Sequence, residues 1–217
     1  MGEEHVLAID LGTGGPKAAL VDRSGHITAH EFEPTALELL GDGGAEQDPD
    51  GWWAAITTAV RRVLGEGLVA IDDIVAVSIT SQWSGTVAVD AEGKHLYPAV
   101  TWMDSRGAPY VHDLVSSRIN VAGYHPTRLR HWIQRTGGIP SHSGKDPIGH
   151  ILWLRHERPE VYRAARTFLE PCDYLNARLT GRVCASFDSI VAHWLTDNRD
   201  LANVSYDPQL LEWCGLT

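Results

Sequence analysis

The chain has 217 residues, of which 43% are hydrophobic and 21% charged, and this ordinary globular composition argues against a wholly disordered chain. Lysine and arginine total 18 against 28 acidic residues, which gives a formal net charge of −10. That charge disfavours a nucleic-acid-binding surface, because such a surface needs a basic footprint. A nucleotide or a phosphorylated metabolite stays compatible with it, since a few local cations are enough to bind one.

The sequence also bears on membrane contact and redox state. No window approaches the run of about 20 apolar residues that spans a bilayer, and the first residues lack the basic start and apolar run of a signal peptide. The three cysteines, Cys172, Cys184 and Cys214, are odd in number and show no CxxC spacing. We therefore expect reduced thiols in a cytoplasmic protein without a membrane partner.

The first thirty residues have the pattern of three consecutive strands. Residues 5–9 and 17–21 are apolar and β-prone, and residues 26–32 alternate loosely. A glycine-rich segment, residues 10–15, separates the first pair, and residues 22–25 form a tight turn between the second pair. The sequence therefore predicts three antiparallel strands at the N-terminus.

A helix follows a glycine-rich loop at residues 40–45. Asp48 can cap this helix, and Pro49 suits its first position. Six apolar residues then recur at helical spacing: Trp52, Trp53, Ile56, Val60, Val63 and Leu64. Beyond the helix, the pattern predicts a buried strand at residues 74–80, another at 85–89, and a short strand at 99–102 that leads to Asp104.

The rest of the chain alternates helices and strands. We predict a short helix near residues 110–118 and loop for the remainder of 105–147. Helices are predicted at residues 148–156, 159–166 and 173–179, with a strand at 167–169, and Gly181 ends the last helix. A block of strands followed by alternating helices and strands indicates the α/β class.

The segment from Asp10 to Lys17 gathers the components of a phosphate site within eight residues. Gly12, Gly14 and Gly15 let backbone N–H groups approach a ligand closely, and Lys17 supplies a cation. The hydroxyl of Thr13 adds a donor, and the carboxylate of Asp10 can hold Mg²⁺ through water. The alternative is a hairpin turn whose glycines only relieve strain. The segment is neither a Walker A loop nor a Rossmann turn, because a strand follows it instead of a helix.

The pattern Asp-x-Gly-Thr-x-x-x-Lys between two strands resembles the first phosphate motif of the actin, Hsp70 and sugar-kinase superfamily. Further segments, in matching order and spacing, resemble the FGGY carbohydrate kinases and within them most nearly the xylulokinases. These segments are residues 46–53 (EQDPDGWW), 79–85 (ITSQWSG), 98–106 (PAVTWMDSR), 170–175 (EPCDYL), 179–181 (LTG) and 186–188 (SFD).

The resemblance implies a ribonuclease H-like lobe with a mixed sheet, and residues 5–217 as the N-terminal domain of an ATP- and Mg²⁺-dependent sugar or polyol kinase. It implies phosphate and magnesium contacts at Asp10, Gly12, Thr13, Gly14, Gly15 and Lys17. The family's general-base aspartate lies in a Gly-Gly-Asp-Asn-like segment, and the 217 residues contain none. We therefore expect no catalytic residue here and little kinase activity from these residues alone. We also expect homo-oligomers, because an absent second lobe would leave apolar surface exposed.

For the sugar, the resemblance implies contacts from Gln82, Trp83 and Ser84. Xylulokinases usually show Gln-Met-His-Gly where this chain has Gln-Trp-Ser-Gly, so the sequence leaves a ketopentose and several polyols open. Trp83 is either a platform for a C–H face of the sugar or a core aromatic.

A second sugar-side segment contains Trp102, Asp104 and Arg106, which alternate along a run that we predict to be extended. They would then share one face. The resemblance implies sugar contacts from these three residues, and Asp104 and Arg106 either bind sugar hydroxyls or pair with each other as a structural salt bridge. We favour the hydroxyl contact for Asp104 and the salt bridge for Arg106.

Three alternatives accompany this interpretation. One is a non-catalytic sugar-binding or regulatory protein of the same fold, and another is an actin- or Hsp70-like ATPase that acts on protein partners. A zinc site is the third, but the histidines have no ligand spacing such as HExxH. They include His125, His131, His142 and His150. We expect Asp188 to have a structural role.

Overall fold

A computed structural model describes residues 3–216 as eleven strands and eight α-helices. The strands are β1 (His5–Gly12), β2 (Gly15–Asp22), β3 (Ile27–Phe32), β4 (Glu38–Leu39), β5 (Ala45–Gln47), β6 (Ile74–Ser81), β7 (Val87–Val89), β8 (Ala99–Val100), β9 (Thr167–Leu169), β10 (Thr196–Asp197) and β11 (Ser205–Tyr206). The helices are α1 (Pro49–Gly65), α2 (Ala108–Val115), α3 (Pro126–Thr136), α4 (Pro147–Glu157), α5 (Pro159–Ala164), α6 (Pro171–Thr180), α7 (Phe187–Ile190) and α8 (Pro208–Cys214).

A four-stranded mixed sheet of order β3-β2-β1-β6 organises the N-terminal half. Strands β1, β2 and β3 pair antiparallel, as predicted, and β6 joins β1 in parallel. Helix α1 precedes β6 in the chain and packs on the sheet. The core between the helix and the sheet includes Leu11, Leu20, Trp52, Ile56 and Val63. The predicted α/β class with a mixed sheet is therefore confirmed.

Helix α1 begins as the sequence predicts. The side chain of Asp48 accepts a hydrogen bond from the backbone N–H of Asp50, and Pro49 occupies the first turn. Trp52, Ile56 and Val63 are buried, and the other three predicted residues pack against the same core. The capping residue and the apolar spacing together fix where the helix starts and which face it buries.

Strand β6 differs from the prediction of a buried strand. The side chains of Val75 and Val77 are 58% and 50% exposed. In the described residues β6 pairs only with β1, so its other edge has no strand beside it. An apolar run predicts a buried strand, but in the described residues β6 lies at the margin of the sheet.

A second group of helices forms around Trp132, which is fully buried with Ile148 and Leu210. Trp132 belongs to α3, which lies where we predicted loop. The helix contains three arginines and a histidine among its eleven residues, so its single apolar face was hidden in the sequence. Its start was marked by Pro126, and its end by Gly137, which has a left-handed φ of +83°.

The expectation that Trp102, Asp104 and Arg106 share one face is wrong. The chain turns after β8, and the N–H of Asp104 bonds the carbonyl of Thr101 at 3.0 Å. As a result, Trp102 is 45% exposed whereas Asp104 and Arg106 are 1% and 7% exposed.

Arg106 forms the expected ion pair with Asp104, in a buried network. Its Nη2 lies 2.6 Å from Asp104 Oδ2 and 2.5 Å from Glu46 Oε1. Burial alone would lower the pKa of Arg106, but hydrogen bonds to these two carboxylates outweigh it and raise the pKa. The guanidinium also lies over the ring of Trp153, 3.6 Å from its centroid. This network joins β5 to the turn after β8.

Gly15 marks a close approach between the β1–β2 turn and the segment after β3. Its φ is +137°, and a Cβ at this position would lie 2.1 Å from the carbonyl oxygen of Glu33. The segment is held there because the N–H of Thr35 bonds the carbonyl of Gly14 at 3.1 Å. The glycine at 15 is therefore required by packing of the chain on itself.

We expect Gly15→Ala to lower the free energy of unfolding by about 2 kcal/mol or more, because the added methyl group meets backbone and the φ is unfavourable for alanine. Gly14→Ala is the matched control, since a Cβ there meets nothing within 4 Å. Its effect should stay within about 0.5 kcal/mol. Urea denaturation of both variants measures the difference, and equal losses would contradict the close approach.

Candidate functional site

The β1–β2 turn and the segment after β6 meet at one edge of the main sheet. Because β1 and β6 are parallel, with Leu11 beside Ser81, their carboxyl ends emerge together. An open pocket of about 560 Å³ lies there. It is lined by Asp10, Gly12, Thr13, Ser81, Gln82, Trp83, Ser84, Trp102, Lys145 and Asp146. Residues predicted separately for phosphate and for sugar therefore line a single pocket.

A chain of hydrogen bonds links the two sides of this pocket, and it starts at Gln47. The Nε2 of Gln47 donates to the carbonyls of Thr13 and Ala36 at 2.8 and 3.1 Å. Its Oε1 therefore faces the other way and accepts from Gln82 Nε2 at 2.7 Å. This fixes the orientation of the Gln82 amide, whose Oε1 accepts from the hydroxyl of Thr13 at 3.0 Å.

The hydroxyl of Thr13 is engaged on both sides. It donates its proton to Gln82 and accepts from the indole Nε1 of Trp102 at 3.0 Å, since an indole N–H can only donate. The expectation that this hydroxyl adds a donor for phosphate therefore has no support in this arrangement. Gln82 keeps one amide hydrogen and one oxygen lone pair free, and these can meet a ligand hydroxyl.

Asp10 and Lys17 lie directly opposite each other on β1 and β2. Lys17 Nζ is 3.2 Å from Asp10 Oδ2, and the two side chains are 63% and 48% exposed. In the described residues the second oxygen of Asp10 accepts no hydrogen bond, so a hydrated divalent cation can reach it. The open space at Gly14 leaves the backbone accessible to a ligand. The turn thus fits magnesium and a phosphate group.

The turn that follows β6 carries the predicted sugar-side residues. Trp83 is 62% exposed, which excludes its interpretation as a core aromatic. Ser84 has a left-handed φ of +59°, uncommon for a residue with a side chain. Its hydroxyl donates to the carbonyl of Lys145 at 3.0 Å. Asp104 and Arg106 are buried in their ion network and do not line the pocket.

Sequence reasoning missed Lys145 and Asp146, which line the pocket from the start of α4. The carboxylate of Asp146 accepts from the N–H of Ser141 at 2.6 Å, and burial raises its pKa. The pair Asp146-Pro147 was the available signal, because an acidic residue before proline is typical of a helix start. The predicted helix at residues 148–156 starts one residue after the observed start at Pro147.

The other polar candidates lie outside the pocket. His150 is fully buried and bonds Thr86 at 3.0 Å, and burial lowers its pKa to about 4. Asp188 is exposed on α7. The three cysteines are free thiols. Over residues 3–216, no helix is long and apolar enough to cross a bilayer.

One group of side chains offers metal-ligand atoms within 4.8 Å of one another in the described part of the chain: Asp48, Asp50 and His95. None of the four histidines named from the sequence belongs to it. Arg178 Nη1 already lies 2.5 Å from Asp50 Oδ1. We interpret the group as an ion-paired helix start, because the arginine competes with any cation for the carboxylate.

Comparison with known proteins agrees with this geometry. The chain is 33% identical over 214 residues to a xylulose kinase from Streptomyces rubiginosus, covering 95% of this chain and 41% of the relative. The crystal structure of a "xyloylose kinase" from Brucella ovis superposes with a TM-score of 0.83 at 23% identity, covering 98% of this chain and 41% of that one. Plasmodium falciparum glycerol kinase, solved with ADP, gives 0.80 at 20% identity, covering 99% and 41%. At these identities the solved structures establish the fold.

The chain therefore spans about two fifths of the length of the curated relatives that it matches. The sequence profile described as "FGGY family of carbohydrate kinases, N-terminal domain" matches residues 5–217. The pocket, the fold and this match agree, and the chain belongs to the FGGY family of carbohydrate kinases.

Proposed function

We propose that this chain forms the sugar-binding lobe of a kinase that transfers the γ-phosphate of ATP to a hydroxyl of a pentulose or polyol. One observation carries the proposal. At the edge of one pocket, the hydroxyl of Thr13 in the phosphate turn donates a hydrogen bond to Gln82 after β6 and accepts one from the indole of Trp102. A phosphate group and a sugar bound on these two sides would lie next to each other, as a transfer reaction requires.

In this proposal the phosphate turn takes the nucleotide side. Lys17 and the backbone N–H groups of residues 12–15 face phosphate oxygens, and Asp10 holds Mg²⁺ through water. When bound, magnesium neutralises the charge of the phosphates during transfer. The free amide hydrogen of Gln82 donates to a sugar hydroxyl, and the exposed rings of Trp83 and Trp102 cover apolar faces of the sugar.

Proton removal from the sugar hydroxyl needs a carboxylate within hydrogen-bond reach. Two carboxylates line the pocket. Asp10 pairs with Lys17 at 3.2 Å and is the proposed magnesium ligand, and Asp146 accepts from the N–H of Ser141 at 2.6 Å, where burial raises its pKa. Because neither is assigned to proton removal, we propose that the general base comes from outside these residues. The lack of a further carboxylate in the described pocket lining favours the second candidate, a sugar-binding protein of this fold without transfer activity.

An actin- or Hsp70-like ATPase that acts on protein partners would not need this sugar side. Trp83 and Trp102 line the pocket together with Gln82, and exposed aromatic rings beside an amide can bind a polyol. We therefore place sugar binding ahead of that candidate.

We expect the 217-residue chain to bind D-xylulose, and Gln82→Ala to weaken that binding about tenfold, because it removes a hydrogen bond made inside the pocket. Gln209→Ala is the matched control, since Gln209 lies on α8 and bonds only Glu212 in the described chain. Isothermal titration calorimetry measures both. We also expect no D-xylulose-dependent ADP release from the chain with ATP and Mg²⁺. Binding unaffected by Gln82→Ala would contradict the site, and rapid ADP release would contradict the missing base.

We also propose that these residues self-associate through β6, because an uncharged strand with an open edge and exposed valines pairs readily with a second copy. Sedimentation velocity over a concentration series should show a dimer that Val77→Lys reduces. The control is Val183→Lys, which adds the same charge at an exposed valine outside the sheet. A single monomeric species at all concentrations would refute this proposal.

A further inference from the structure

Glu170 is a buried carboxyl group that the proposed function leaves unexplained. It lies between β9 and α6 and is 2% exposed. Its Oε2 accepts from the N–H of Gly85 at 3.0 Å, while its buried Oε1 has no hydrogen-bond partner in the described residues. In the described residues no lysine or arginine is among the groups that shift its pKa, so no cation compensates it. Such a group is costly to bury, so its position calls for an explanation.

A capping role does not explain it. Glu170 occupies the N-cap position of α6, yet its side chain makes no hydrogen bond to the first turn of that helix. The carboxyl group reaches across to the backbone of Gly85 instead. A short polar side chain at this position would accept a hydrogen bond from a free N–H group of the first helical turn. Glu170 instead accepts a hydrogen bond from the sugar-side turn.

The turn that Glu170 holds is tightly constrained. Ser84 adopts a left-handed φ of +59°, which costs free energy for a residue with a side chain. A Cβ at Gly85 would lie 2.7 Å from the ring of Pro171, the residue after Glu170. On its other side the turn is fixed by the bond from Ser84 Oγ to the carbonyl of Lys145. Residues just before α6 and just before α4 therefore hold the turn from two sides.

Burial raises the pKa of Glu170 to about 8, against the lowering effect of backbone hydrogen bonds from Gly85 and Ser84. The charge of Asp173, on the same helix, raises it further, and the facing turn contributes only the two backbone groups. At neutral pH the carboxyl group is therefore mostly protonated, and it binds the turn without placing a charge behind the sugar site.

We propose that Glu170 is a positioning residue of the sugar site. It holds the backbone of Ser84 and Gly85 in the conformation that presents Gln82 and Trp83 to the pocket, and it touches no reacting atom itself. The sugar part of this inference rests on the proposed function, whereas the fixing of the turn does not.

Amide hydrogen exchange of residues 82–86 tests the fixing of the turn in the 217-residue chain without any ligand. We expect Glu170→Leu to speed exchange at Gly85 at least about tenfold, and Glu170→Gln to restore protection because its amide oxygen still accepts the bond. Asp173→Asn is the matched control, since Asp173 lies on the same helix and bonds Ser189. Unchanged exchange in Glu170→Leu, or an equal change in the Asp173 variant, would overturn the proposal.

Two further readouts separate positioning from general destabilisation. D-Xylulose should bind at least about tenfold more weakly to Glu170→Leu and within about threefold of wild type to Glu170→Gln. If wild type itself fails to bind D-xylulose, the proposed function fails for that sugar, while the exchange data still decide the role of Glu170. Equal affinity in the leucine and glutamine variants would overturn positioning.

The pH dependence of Tm is measured with wild type and Glu170→Gln, so it tests the proposal even if Glu170→Leu does not fold. The folded state holds the proton of Glu170 up to about pH 8, whereas the unfolded chain releases it near its ordinary value of 4.5. The Tm of wild type should therefore fall relative to that of Glu170→Gln as pH rises from 5 to 8. A constant difference in Tm would contradict the burial of Glu170 and so overturn its contact with Gly85.

Discussion

The orientation of one amide, that of Gln47, is the constraint on which the site depends. Two backbone carbonyls take its hydrogens, so its oxygen must face Gln82. This fixes the orientation of the Gln82 amide, whose oxygen accepts from the Thr13 hydroxyl. The indole N–H of Trp102 then donates to the oxygen of Thr13. Reversing any one amide would set acceptor against acceptor, which is costly in a partly buried network.

The chain of hydrogen bonds begins on β5, where two neighbouring residues contact different parts of the structure. Gln47 links the phosphate turn to the segment after β6, and Glu46 binds Arg106 in the buried ion network. Successive side chains of a strand point to opposite faces, so one short strand can hold both. The ion network fixes the turn that carries Trp102, and Trp102 in turn bonds Thr13. Structural and ligand-facing parts of the lobe are therefore mechanically connected.

Local signals in the sequence were sufficient for the three N-terminal strands, the glycine-rich turn and the capped helix α1. Each depends on residues that are close along the chain, such as Asp48 and Pro49 at a helix start. The marginal position of β6 could not be predicted in this way, because burial of an apolar strand depends on which elements flank it. Helix α3 was missed because arginines surround its single apolar face in the sequence.

The site was predictable as two separate constellations, and their connection was not. Asp10, Thr13 and Gln82 were named from motifs, and the structure brings them to one pocket. Gln47, Lys145 and Glu170 were missed as site residues, because their roles arise from contacts across 35, 61 and 85 positions of sequence. Local patterns, such as helical spacing or strand alternation, do not predict contacts between residues so far apart in the sequence. Asp104 shows the converse, since an alternation along the chain suggested a ligand contact and a backbone turn buried the side chain.

The central claim is that the phosphate turn and the sugar-side turn form one coupled site. Titration of the ¹⁵N-labelled chain with D-xylulose, followed by amide and indole resonances, tests it most directly. Coupling predicts shifts at Gln82 to Gly85, at the indole N–H of Trp102, and also at Thr13 and Gly14 across the hydrogen-bond chain. Shifts confined to one of the two turns, or centred on the separate pocket beside His95 and Arg178, would contradict it.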